Sequence, residues 1–63
     1  MYIEITREAF ETLVPQDLPV ASVKSGSLYR RIFYISNGVK LQRLENYPSG
    51  ECVTQYYIQD INA

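Results

Sequence analysis

The chain has no histidine, no tryptophan, a single cysteine and only three glycines among 63 residues. Without histidine there is no Cys/His zinc site and no usual base for a cysteine nucleophile. One cysteine, Cys52, excludes an internal disulfide. No apolar run approaches the roughly 18 residues that a membrane-spanning helix needs. No basic stretch leading into an apolar one marks a signal peptide. Ser25-Gly26-Ser27 is a loop signal that lacks the Gly-x4-Gly-Lys pattern of a phosphate loop. Charge of one sign is also scarce: six Lys and Arg against seven Asp and Glu leave a net charge of −1. That balance gives no global attraction to nucleic acid or anionic membrane. Glu8 and Glu11 read as a solvated helix face, with Glu4 and Asp17 exposed on either side, so no buried carboxylate pair is expected. The sequence therefore points away from an enzyme, with no catalytic residue, cofactor or metal expected. An opening Met1 without a secretion signal sets the expectation of a complete small cytoplasmic protein, of the kind that bacterial, plasmid and phage genes encode.

What is present is hydrophobic and aromatic: 46% apolar residues, with six Tyr and two Phe. The length suits one domain over residues 1–63. Such a chain buries only about 60% of its unfolded surface, so association often supplements a core of this size.

The richest stretch runs from Leu28 to Leu44, two β-branched and aromatic segments flanking Asn37-Gly38. Asn-Gly is a strong hairpin signal because a two-residue type I′ turn needs positive φ at both positions. Upstream, Thr6 is positioned as a helix N-cap, with Ile5 and Phe10 placed as a hydrophobic staple. Glu8 sits in the first turn, and Phe10, Leu13 and Val14 make one apolar stripe. Pro15 and Pro19 stop the helix, so it is expected over about residues 6–14. Residues 15–27 read as an extended connector ending in a mobile Lys24-Ser-Gly-Ser27 loop. Strands are expected over about 28–36, 39–46 and 52–61, the last two joined by a short turn at Tyr47-Pro48-Ser49-Gly50. The expected fold class is α+β: one N-terminal helix packed on a three-stranded antiparallel β-meander, with a short N-terminal strand at residues 2–5 as an option.

The Asn37-Gly38 turn fixes the register: Ser36 pairs with Val39, Tyr34 with Leu41, Ile32 with Arg43 and Arg30 with Glu45. Paired residues share a face. Leu28, Ile32, Tyr34, Val39, Leu41, Cys52, Tyr56 and Ile58 make the core face, with Cys52 an inert buried thiol. The opposite face takes Tyr29, Arg31, Phe33, Ile35, Lys40, Gln42, Leu44, Val53, Gln55, Tyr57, Gln59 and Ile61. A bulged second loop would exchange the two sets on the third strand.

The second face suits neither core nor plain surface, and Tyr with Arg is what protein interfaces enrich. The leading expectation is a non-enzymatic protein–protein interaction module. It would self-associate as a homodimer, or bind a protein partner, through Tyr29, Arg31, Phe33, Ile35, Leu44 and Tyr57, or through an edge strand. The alternative is a nucleic-acid-binding accessory protein. Lys24, Arg30, Arg31, Lys40 and Arg43 fall in a hairpin, residues 24–43, that contains no acid and interleaves aromatics.

Overall fold

The structure is a computed structural model that describes residues 1–48 and 50–60. Six elements follow one another: β1 (Tyr2–Ile5), α1 (Arg7–Leu13), β2 (Ser22–Ser25), β3 (Tyr29–Ser36), β4 (Val39–Asn46) and β5 (Val53–Gln59). The strands make a single antiparallel sheet in the order β1-β5-β4-β3-β2. The α+β class holds, but the sheet has five strands where a three-stranded meander was expected. The optional N-terminal strand is β1, paired with β5. The other addition, β2, replaces the expected connector and mobile loop.

The centre of the sheet follows the turn chemistry. Asn37 and Gly38 adopt φ of 53° and 80°, as a type I′ turn requires. All four expected pairs are present between β3 and β4. A Cβ added at Gly38 would meet no atom within 4 Å, so the demand there is on the backbone alone. Gly38→Ala is therefore expected to cost about 1–2 kcal/mol, the usual penalty for a left-handed residue with a Cβ. Urea denaturation should show a lower midpoint with an unchanged slope.

The helix is also local in origin. Thr6 Oγ1 accepts a 3.1 Å hydrogen bond from the Ala9 amide and caps the N-terminus. Glu8 lies in the first turn, and Arg7 and Glu11 pair at 2.8 Å one turn apart. Both side chains of that pair are solvated, so it contributes little to stability. Val14, just before Pro15, leaves helical geometry while its amide still bonds to the Phe10 carbonyl at 2.9 Å.

The helix lies on one face of the sheet. Phe10, Ile32, Tyr34 and Leu41 form the core there, with Ile5, Val14, Leu18, Val39, Tyr56 and Ile58 packed around them. Phe10 is the only buried helix residue. Leu13, expected in the same stripe, is 43% exposed because two turns of helix bring only one residue squarely over the sheet.

Two further expectations for the core face fail. Leu28 is 60% exposed, since it sits at the tip of the β2–β3 hairpin and not in β3. Cys52 is exposed because the β4–β5 connection spans residues 47–52, longer than expected, and β5 begins only at Val53. The connection still has an even number of residues, so β5 keeps the expected parity: Leu41 pairs with Ile58 and Gln42 with Tyr57. Ile61 and Ser49 lie outside the described residues.

Candidate functional site

The sheet face opposite the helix is not covered by any other element among the described residues. Register places its residues in rows across the strands. Glu4, Tyr57, Gln42, Phe33 and Ser22 form one row, and Gln55, Leu44, Arg31 and Lys24 form the next. Tyr2 and Gln59 lie at one end of the face, with Lys40 and Ile35 paired nearby. Val53, Asn46 and Tyr29 close the other end. All six expected interface residues, Tyr29, Arg31, Phe33, Ile35, Leu44 and Tyr57, belong to this face.

The middle of the face is shielded by its own side chains. Gln42 is 3% exposed and Leu44 8%, although no second layer lies over them. Phe33 and Tyr57 flank Gln42 on the two neighbouring strands, and both stay half-buried. Buried amides need partners, and Gln42 Oε1 accepts from Arg31 Nη1 at 3.2 Å. The Arg31 guanidinium carbon in turn stands 6.0 Å from the Tyr29 ring centroid. Tyr29 closes against Gly26, where any Cβ would collide with its ring. Phe33 and Tyr57 thus share a row, while Tyr29 packs into a separate arrangement at the end of the sheet.

The five cations of the alternative reading divide between the faces. Lys24, Arg31 and Lys40 lie on the bare face, with Glu4 as its only acid among the described residues. Arg30 and Arg43 lie on the helix face, where both pair with Glu45. Arg30 Nε donates to Glu45 Oε1 at 3.0 Å, and Arg43 Nε stands 3.6 Å from Oε2. Tyr47 OH donates to Oε1 at 3.2 Å. The Tyr47 phenol is held above its ordinary pKa, first by loss of surrounding water and then by Cys52 and Glu45. It therefore remains a protonated donor at neutral pH. This cluster ties the ends of β3 and β4 to the residue that leaves β4.

From residue order alone Lys24 reads as a loop residue, and Tyr2 and Glu4 have no place on the face. The alternation of Tyr2 and Glu4 with Ile3 and Ile5 was the available signal. A second concavity lies on the helix side, an open cleft of about 780 Å³ between α1, the 15–20 segment and the sheet. Arg7, Glu11, Tyr34 and Arg43 supply its polar groups, and Phe10 and Leu18 part of its apolar wall.

Among the described residues no helix is long and apolar enough to cross a membrane. No protein-family model matches the chain, and no curated protein or solved structure matches it either.

Proposed function

We propose that the chain is a non-enzymatic protein-interaction module that self-associates through its bare sheet face. The observation that carries this reading is a sheet with a layer on one side only, whose open side presents the exposed Ile35 and Val53 and the half-buried Phe33 and Tyr57. The surface supports it. The folded chain exposes 4615 Å², against about 4200 Å² for a typical monomer of 7.3 kDa. Its radius of gyration is 11.8 Å, where a compact 63-residue chain would have about 10.6 Å. A second layer on the bare face would bury surface that the single helix, on the other side of the sheet, does not reach.

A second reading has one observation in its favour: Lys24, Arg31 and Lys40 share the face with Phe33 and Tyr57, the combination that single-stranded nucleic acid uses. It ranks below the first because Arg31 already bonds Gln42 and Tyr29 packs against Gly26 and Arg31, which leaves few groups for phosphates and bases.

Light scattering on a size-exclusion column, across protein concentration and salt, separates the two. The expected result is twice the 7.3 kDa chain mass at high concentration, retained at high salt because apolar contacts dominate. Phe33→Asp should return the monomer without loss of the folded circular-dichroism spectrum. A monomer at every concentration, together with oligonucleotide binding that collapses as salt rises, would transfer the face to the second reading.

A further inference from the structure

We infer that two copies stack bare face to bare face about a two-fold axis running along β4, so that β5 of each lies over β3 of the other and β1 over β2. This arrangement rests on the self-association proposed above. Two in-plane two-folds are available to a face-to-face pair, and the charges choose between them. An axis across the strands stacks each strand on its own copy, which puts Glu4 near Glu4 and Lys24 near Lys24. An axis along β4 exchanges the two edges of the sheet, because β4 is the central strand of five. The acidic edge at Glu4 then meets the basic edge at Lys24, twice by symmetry.

The register makes the same axis complementary in its interior. Tyr57 and Phe33 occupy one row at equal distances either side of β4. The axis therefore lays Tyr57 on Phe33 of the second copy, and Phe33 on its Tyr57, at a sheet separation of about 10 Å. Leu44, on β4 itself, lies on the axis beneath the side chains that already cover it. Glu4 comes over Ser22, and Lys24 is two residues farther along the same strand, about 7 Å, within the reach of a lysine side chain. A shallow dent of about 370 Å³ lies beside Ser22, Phe33, Ile35 and Lys40. The chain's own Tyr2 and Ala21 also line it, so residues from both edge sides of the sheet border this dent. The one like-charge meeting is Lys40 with Lys40. This residue is exposed and next to the turn, so its long stem can carry the ammonium outwards.

Charge reversal tests the axis, with mass measured by light scattering at low salt. Glu4→Lys alone sets the introduced ammonium against that of Lys24 at both edges. Lys24→Glu alone sets the introduced carboxylate against that of Glu4 in the same two places. Each single variant is expected to dimerise about tenfold more weakly than the parent, two rim pairs changing sign. An equimolar mixture of the two variants offers a heterodimer with opposite charges facing each other at one edge and at the other. That heterodimer is expected to form with parental strength. Recovery on mixing cannot come from damage to either fold. If the parent dimerises but mixing restores nothing, the axis is wrong while the face remains the interface. If the parent stays monomeric at every concentration, the axis and the self-association fail together.

Discussion

Phe10→Ala is expected to leave the chain unfolded at room temperature. A chain of 63 residues has a stability of about 3–9 kcal/mol. Truncating a buried phenylalanine costs about 3–5 kcal/mol, much or all of that reserve. Nothing nearby can compensate. Phe10 is 5% exposed and is the only buried side chain the helix contributes. Its ring meets Tyr34 edge-on at 5.8 Å and 72°, and Tyr56 at 4.7 Å and 42°. Such aromatic pairs add about 0.5–1.5 kcal/mol each beyond the area they bury. Their loss opens the core along the side where the helix lies. Far-UV circular dichroism during heating should show no cooperative transition for Phe10→Ala. Phe10→Leu, which keeps most of the volume, should melt cooperatively at a reduced temperature. A cooperative melt of the alanine variant within a few degrees of the parent would mean that the helix does not close the core.

Glu45→Ala is expected to have the next largest effect on stability, about 2–3 kcal/mol. The carboxylate is 14% exposed and is shared by Arg30, Arg43 and the Tyr47 hydroxyl. Breaking a buried pair from one side costs about 3–5 kcal/mol, because the surviving charge keeps its desolvation and loses its partner. Here Arg30 is half solvated and rehydrates readily, which lowers the figure. Arg43 cannot do so as fully: its Nε is buried and has no hydrogen-bond partner, so Glu45 is the charge that balances it. Urea denaturation of Glu45→Ala, Arg30→Ala and the double variant would divide the cost. The expected cycle shows the double variant nearly as unstable as Glu45→Ala, with Arg43 carrying most of the remainder. Equal stability of Glu45→Ala and the parent would show that the cluster is only a solvated rim.

The central hairpin could be read residue by residue because its causes are local. Two adjacent residues that accept positive φ define the turn, the turn defines the register, and the register sorts Tyr34 and Leu41 from Phe33 and Gln42. The Thr6 cap is legible for the same reason, since donor and acceptor lie three residues apart. The parity of β5 was legible only as a choice, because an even or an odd connection from Tyr47 was equally compatible with the residues. β2 left no such trace. All four of its residues are exposed, so no apolar face marks it, and its connection to β3, Gly26-Ser27-Leu28, reads as a loop and lacks the Asn-Gly pair of a two-residue hairpin turn. It exists because β3 offers an edge of unpaired amides and carbonyls, beginning with the 2.8 Å bond from the Ala21 amide to the Phe33 carbonyl.

The candidate site divides along the same line. Residue order in the central strands was enough to assign their faces, and so to bring Tyr29, Arg31, Phe33, Ile35, Leu44 and Tyr57 together. Those assignments are consequences of backbone preference and of the two-residue period of a strand. The pairing of the two edge strands was needed to put Glu4 and Lys24 at opposite edges of that face, and the lengths of the connections to leave Cys52 and Leu28 exposed. The β1–β5 pairing joins the two ends of the chain, while the β2–β3 pairing is local but made by main-chain groups. Strand pairing at an edge is made by main-chain bonds that every residue except proline can supply, so residue identity carries little record of it.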